Sequence, residues 1–191
     1  METLKHILNH VLPINEDNWT AIKPFLTVKK LEAKQNILLP PDTCKFIAFI
    51  KSGSARTYRI DDHLTETNLL LCADNEFITD YESFITQAPA KLHIETLEDS
   101  ELIFLDHQGL MSLYDSSFYW NKFGRLISEQ IFINSKRRTE ALLFQSPKER
   151  YLELMATQSY FFQKYPLKHI ASYLGVTPQS LSRIRKQLTE H

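Results

Sequence analysis

The feature that most constrains the fold is a segment near the C-terminus, LKHIASYLGVTPQSLSRIRKQL, which runs from Leu167 to Leu188. In it, the small residue Ala171 is followed four positions later by Gly175. The apolar residues that would fill a joint between two helices are Ile170, Leu174, Val176, Leu181 and Ile184. Two short helices meeting at a steep angle need this pattern, because a small residue allows close approach and a glycine relieves the turn. The segment therefore predicts a helix-turn-helix.

The second helix of this motif is predicted to begin at Thr177 and Pro178, because threonine caps helices and proline suits the first turn. Glutamine and arginine pair with adenine and guanine edges, whereas lysine and serine contact phosphates. We therefore expect a recognition helix, from about Pro178 to Leu188, in the major groove of double-stranded DNA. Its predicted DNA-binding residues are Thr177, Pro178, Gln179, Ser180, Ser182, Arg183 and Lys186, with Arg185 at the flank. The same joint also fits a helical pair that contacts protein.

The distribution of charge favours DNA as the partner. The chain of 191 residues has a formal net charge of -1. Residues 1–135 carry 12 Lys/Arg against 19 Asp/Glu, whereas residues 136–191 carry 10 against 4. Because electrostatic fields in physiological salt act over about 10 Å, only the basic C-terminal third is expected to meet a polyanion.

Composition excludes several classes of protein. Hydrophobic residues make up 43% and charged residues 24% of the chain, as in soluble globular proteins. The sequence has no long apolar run and no signal-peptide pattern at its start, so we expect a cytoplasmic protein without a membrane partner. Cys44 and Cys72 are too few and too far apart for a metal or redox motif, and the histidines lack metal-binding spacing. We expect no metal site and two ordinary apolar cysteines.

The body of the chain predicts an antiparallel β jelly roll preceded by two short helices. Asn15 has the position of an N-cap for the second helix. Short segments rich in β-branched and aromatic residues then alternate with turn residues. They are KFIAFI (45–50), ARTYRI (55–60), TNLLL (67–71), KLHIETL (91–97) and ELIFL (101–105). The fold class is therefore α+β, with residues 1–114 as the first domain.

A long helix is predicted within residues 115–145, starting near the Asp115-Ser116-Ser117 sequence. Its partly apolar face contains Phe123, Ile127, Gln130 or Ile131, and Asn134. This face either packs on the sheet of the same chain or forms a coiled-coil-like dimer with the long helix of a second copy of the protein, with Asn134 near the dimer seam. The sequence Ser146-Pro147-Lys148-Glu149 is a capping box with proline at the first helical position. It marks the start of a C-terminal all-α domain, residues 146–191.

A strand-rich roll, a long helix and a C-terminal helix-turn-helix, in this order, resemble the Crp/Fnr superfamily of transcription regulators along essentially the whole chain. The segment from Leu167 to Leu188 carries most of the resemblance, whereas Ser52-Gly53-Ser54 and FITDYESF (77–84) are weaker parts of it. The resemblance implies a regulator rather than an enzyme. It implies a homodimer formed through the long helix on an operator with two-fold symmetry, and base contacts by Pro178, Gln179 and Arg183. RNA polymerase and a small-molecule effector of unidentified chemistry are the further partners it implies.

The sequence departs from the nucleotide-binding members at the cyclic phosphate. Those members use a Gly-Glu pair followed by an Arg-Ser pair, and the matching positions here are Thr79-Asp80 and Ala88-Pro89. No arginine is present at these positions to form a bidentate hydrogen bond with a phosphate, and the nearest cation is Lys91. We therefore expect no cofactor and an effector other than cyclic AMP. The candidate effector pocket comprises Thr79, Asp80, Tyr81 and Lys91.

A second departure concerns the β-hairpin wing that usually follows the recognition helix, since this sequence ends at His191. Lys136, Arg137 and Arg138 are then candidates for the missing phosphate contacts. His169 is expected to be a surface residue or a phosphate neighbour rather than a catalyst. Two other classes stay open. One is a cupin-like metal enzyme whose ligands would include His93 and Glu95, and the other is a small-ligand-binding module with a helical pair that does not bind DNA.

Overall fold

The structure is a computed structural model that describes residues 1–189. It divides into two compact units: residues 1–59 with 69–129, and residues 60–68 with those from 130 onward. This division differs from the domain boundaries expected at residues 114 and 145. The long helix contributes to both units, and the tip of one β-hairpin, residues 60–68, belongs to the second unit. The last two residues of the predicted domain 146–191 lie outside the described residues.

The first unit contains two four-stranded sheets with antiparallel strand pairs, as the sequence predicts. One has the order β1-β8-β3-β6 and the other β2-β7-β4-β5. The strands are β1 Leu26–Leu31, β2 Asn36–Leu38, β3 Phe46–Ser52, β4 Ala55–Ile60, β5 Glu66–Cys72, β6 Phe77–Ile78, β7 His93–Thr96 and β8 Ser100–Asp106. Each of the five predicted strand segments overlaps one of these strands.

The core of this unit has two layers, and alternating side chains of β8 contribute to both. Leu102 and Phe104 join the cluster between the sheets, whereas Ile103 joins the cluster beneath the N-terminal helices. This alternation follows from the two-residue period of a strand. Cys44 and Cys72 are buried and unpaired, as expected, and burial raises the pKa of the Cys72 thiol.

The helices of the first unit include two, the third and the fourth, that the sequence did not predict. They are α1 Glu2–Val11, α2 Glu16–Ile22, α3 Tyr81–Thr86, α4 His107–Ser116 and the first half of α5 Phe118–Phe144. Asn15 caps α2 as predicted, accepting the Asn18 amide at 2.8 Å. The Asp115–Ser117 sequence ends α4, and α5 begins directly after it at Phe118, as predicted, because Ser117 adopts an extended conformation between the two helices.

The first half of α5 packs on its own domain. Phe123 is buried and Ile127 packs against the same cluster, which also contains Trp19 and Trp120. The predicted partly apolar face is therefore used within the chain at these two positions, which is the first of the two alternatives.

The second unit is helical apart from the hairpin tip. Its helices are the rest of α5, α6 Pro147–Thr157, α7 Phe161–Lys164, α8 Leu167–Tyr173 and α9 Pro178–Thr189. The predicted capping box at the start of α6 is confirmed, with Ser146 and Glu149 bonded reciprocally. Among the described residues, no helix is both long enough and apolar enough to cross a membrane.

Candidate DNA-binding surface and effector segment

The turn between α8 and α9 is closed by a Schellman motif. Gly175 adopts φ +68°, the left-handed conformation that favours glycine. Its amide donates to the Ser172 carbonyl at 3.0 Å, and the Val176 amide donates to the Ala171 carbonyl at 3.0 Å. These two bonds are the defining pair of the motif. The predicted role of Gly175 is therefore confirmed.

The joint between the two helices is filled as the sequence predicts. Ile170, Ala171 and Leu181 are fully buried, and Leu174 is nearly so, whereas Val176 and Ile184 are half-buried. Thr177 caps α9, because its hydroxyl accepts the Ser180 amide at 3.1 Å. Packing and capping together fix α9 against α8.

The polar face of α9 is open to solvent. Thr177, Pro178, Gln179, Ser182, Arg183 and Lys186 are exposed, and Ser180 is half-buried. The Ser182 hydroxyl donates to the Pro178 carbonyl at 3.0 Å. Gln179 and Arg183 lie one helical turn apart, so they project from the same face. An exposed amide and guanidinium on one helix face have the chemistry of base recognition.

The basic triplet on α5 does not form one surface. Arg138 donates to the carbonyl of Tyr173, and its guanidinium lies over the Tyr173 ring, 3.8 Å from the centroid. Burial lowers the pKa of Arg138. Lys136 pairs with Glu140 at 2.7 Å, while Arg137 is exposed. The expectation of a phosphate contact is therefore wrong for Arg138, whose guanidinium is occupied at the end of α8.

His169 is buried, and its expected surface position is wrong. Only 7% of it is exposed. The Asn68 side-chain amide donates to the His169 carbonyl at 3.1 Å, and the Asn68 backbone amide donates to the Ser172 hydroxyl at 2.8 Å. Asn68 belongs to the hairpin tip of the second unit. No local pattern could have signalled a partner 101 positions away in the sequence.

The segment between β6 and α3 uses the candidate effector residues to hold itself together. The Thr79 hydroxyl donates to the Phe46 carbonyl at 2.7 Å. Asp80 is buried and caps α3, accepting the Ser83 amide at 3.3 Å. The Ser83 hydroxyl in turn donates to the Ala88 carbonyl at 2.6 Å. Thr79 and Asp80 therefore have structural partners in this segment.

The other two candidate effector residues are engaged elsewhere. The Tyr81 hydroxyl lies 2.8 Å from the Ser128 hydroxyl on α5. Lys91 pairs with Glu82 at 3.1 Å, and both side chains are largely exposed. The four candidate effector residues thus each have a partner within the protein, and their polar groups do not point together into one pocket.

The roll contains a buried cation that the sequence did not indicate. Arg56 on β4 is directly opposite Glu95 on β7, and Nε and Nη2 both donate to Glu95 Oε1 at 2.7 Å. The guanidinium also lies over the Tyr58 ring, 3.9 Å from its centroid, and His93 stacks on that ring at 4.9 Å. The cross-strand position of Glu95 was not readable from the sequence without the register. Its carboxylate is thus engaged by Arg56, not left open as a metal ligand.

Comparison with known proteins agrees with this fold. The family model described as a cyclic nucleotide-binding domain matches residues 28–117. No curated protein sequence matches the chain significantly. FixK2 from Bradyrhizobium japonicum is 12% identical and has a TM-score of 0.73, with 86% of this chain and 85% of that chain covered.

Two further solved structures are similar over most of both chains. The global regulator CLP of Xanthomonas campestris, which responds to c-di-GMP, is 16% identical, with a TM-score of 0.67 and 92% of each chain covered. The catabolite activator protein of Thermus thermophilus is also 16% identical, with a TM-score of 0.60 and coverage of 96% of this chain and 87% of that one. Residues 28–117 therefore resemble a cyclic nucleotide-binding domain in sequence, and the chain has the fold of the Crp/Fnr regulators.

Proposed function

We propose that the protein is a cytoplasmic, sequence-specific transcription regulator, and not an enzyme, that reads DNA with α9. The observation that carries the proposal is the exposed face of Gln179, Arg183 and Lys186 on a helix fixed by a closed turn. The excess of basic over acidic residues from position 136 onward supports it, because phosphate attraction supplies much of the affinity for DNA.

The proposed assembly is a homodimer on a two-fold symmetric operator. In the second half of α5, Phe132 and Leu143 are each 69% exposed and Phe144 is 81% exposed. Large apolar side chains exposed along one helix mark interaction sites, and a second copy of the same helix is the partner the Crp/Fnr fold favours. The sequence places Asn134 near the seam, but Asn134 is two residues from Phe132 and therefore projects from the opposite side of α5, where it accepts a hydrogen bond from Gln130.

The proposed effector is not cyclic AMP. A cyclic phosphate needs donors that are free to bind it. In the β6–α3 segment, the side chains of Thr79, Asp80 and Ser83 are bonded within the protein, and Lys91 pairs with Glu82. An effector of another chemistry, and RNA polymerase as a partner at promoters, complete the proposal.

The DNA-reading role is tested by selecting bound genomic fragments with purified protein and repeating the selection with Arg183→Ala. We expect the substitution to weaken specific binding by about 1–3 kcal/mol and to relax base choice at one position per half-site. Arg137→Ala is the matched control, because it removes the same charge from an exposed position on α5. An unchanged sequence preference in Arg183→Ala would contradict the assignment of α9. If no genomic fragment binds even at low salt, the helical pair contacts protein instead.

The dimer is tested by sedimentation of Phe132→Asp and Leu143→Asp. Both variants are expected to shift the protein toward the monomer. Leu64→Asp is the control, because Leu64 is 84% exposed on the hairpin tip and its φ of +60° is one that aspartate tolerates. Unchanged dimerisation in both α5 variants would contradict the proposed interface.

A further inference from the structure

The last carbonyl groups of α8 accept hydrogen bonds both from its own turn and from side chains of other helices. The last four carbonyls of a helix have no intrahelical amide to accept. Here the Schellman bonds satisfy the carbonyls of Ala171 and Ser172. The carbonyls of Tyr173 and Leu174 come next in the chain, at the point where it leaves the helix.

Two arginines from other helices donate to these carbonyls. Arg138 of α5 donates to the Tyr173 carbonyl, and Arg150 Nε of α6 donates to the Leu174 carbonyl at 3.0 Å. Arg150 Nη1 also donates to the Gln145 carbonyl, just after α5, at 2.6 Å. Both guanidinium groups lie at the negative end of the α8 dipole, where cations are stabilising.

Side chains of the same two helices approach one side of the glycine in the turn, which is otherwise exposed. A Cβ atom placed on Gly175 would lie 3.2 Å from Leu142 Cδ2 on α5 and 3.9 Å from Arg150 Nη2. The guanidinium carbon of Arg138 lies over the Tyr173 ring, 3.8 Å from its centroid. The turn that aims α9 is thus held from outside as well as by its own hydrogen bonds.

We propose that Arg138 and Arg150 are positioning residues for DNA reading, because they complete the C-cap of α8 and fix the turn from which α9 is presented. This rests on the proposed function of α9. Arg138 thereby acts through the orientation of the recognition helix and not through its charge on a phosphate.

The experiment compares Arg138→Gln with Arg137→Gln, a neighbouring substitution that removes the same charge from an exposed residue. The DNA probes are a fragment selected by the wild-type protein and an unrelated duplex of equal length. For Arg138→Gln we expect the ratio of specific to non-specific affinity to fall at least about tenfold, since a misplaced helix loses base contacts before phosphate attraction. The slope of log K against log salt should stay that of the wild type, because no phosphate contact is lost. Arg137→Gln removes a candidate phosphate contact, so it should weaken binding to both probes alike and leave the specificity ratio unchanged.

Arg138→Lys separates charge from geometry and provides a second variant if Arg138→Gln does not fold. Lysine keeps the charge but lacks the planar fork and the stacking surface, so it should not restore the specificity ratio. Full restoration by lysine, or a salt slope that becomes shallower by about two, as loss of one phosphate contact in each protomer would give, would overturn the inference. Arg150→Lys should likewise lower the ratio.

Melting temperature keeps this inference distinct from the proposed function. Loss of the hydrogen bond from a charged donor should lower the melting temperature of Arg138→Gln by about 3–8 °C, while Arg137→Gln should melt like the wild type. If the wild-type protein selects no DNA sequence, the proposed function fails and this inference fails with it. If the wild-type protein selects a sequence, but Arg138→Gln and Arg137→Gln have the same melting temperature and the same ratio of specific to non-specific affinity, only the inference fails.

Discussion

Replacing Gly124 with alanine should destabilise the protein, although alanine is the better helix former. Gly124 lies within α5, facing Tyr114 of α4, and an added Cβ would lie 2.2 Å from the tyrosine hydroxyl oxygen and 2.6 Å from Cζ. Tyr114 packs against both core clusters, so its ring cannot move aside without disturbing the core. Alanine would gain about 1 kcal/mol of helix propensity, while overpacking costs about 1–3 kcal/mol. Because the contacts are so short, we expect the upper part of that range and a net loss of about 1–2 kcal/mol.

Urea unfolding followed by tryptophan fluorescence measures this loss in the relevant unit, because both tryptophans, Trp19 and Trp120, lie in one core cluster of the first unit. A double-mutant cycle with Tyr114→Ala isolates the clash. In that background Gly124→Ala should stabilise the protein by about 1 kcal/mol, so the coupling between the two sites should be about 2–3 kcal/mol. A stabilising Gly124→Ala in the wild-type background, or a coupling near zero, would refute the reasoning.

Three further predictions concern the roll, a helix cap and the ligand. Glu95→Gln should cost about 3–5 kcal/mol in urea unfolding, because it removes the carboxylate charge that faces the buried Arg56 guanidinium, whereas replacing both residues with methionine should recover much of the loss. Ser146→Ala should cost about 1 kcal/mol. Its partner Glu149 has a lowered pKa because it is hydrogen-bonded to Ser146. The ionised Glu149 should therefore stabilise the protein fully above the ordinary glutamate pKa of 4.5. This stabilisation should be lost as the pH falls through the lowered pKa of the folded state. Melting temperatures measured against pH should show this loss in the wild type but not in Glu149→Gln. Millimolar cyclic AMP should leave the melting temperature unchanged, and a clear rise would contradict the proposed effector chemistry.

The sequence predicted most fully those features whose partners are close in the chain. The Ser146–Glu149 capping box and the Gly175 turn each depend on a few consecutive residues, and both are confirmed. The assignments that failed depend on distant partners. Arg138 looked like part of a basic surface, and only the fold brings it to the Tyr173 carbonyl. His169 looked exposed for the same reason, since Asn68 covers it from a hairpin tip.

Helix α4 shows a different limit. Its sequence, HQGLMSLYDS, contains a glycine and few strong helix formers, so local propensity gave little signal. The Asp106 side chain caps the helix by accepting the Gly109 amide at 2.7 Å, and Leu110 and Leu113 are buried in the core. Tertiary burial therefore supplies what propensity does not, as is common for short helices.

The near-neutral charge of the chain bears on how it would discriminate between DNA sequences. Not every cation in the basic third is available to phosphates, since Arg138 and Arg150 donate to backbone carbonyls and Lys136 pairs with Glu140. If the three cations of α9 each neutralise one phosphate in both protomers, the salt slope would be about -5, since each neutralised phosphate contributes about 0.9. An acidic body that carries 19 Asp/Glu in its first 135 residues also weakens non-specific attraction to DNA. Less of the affinity then comes from the phosphate field, so more of it must come from base contacts. This makes the angle of α9, and the two arginines proposed to hold it, more important for specificity than in a strongly basic DNA-binding protein.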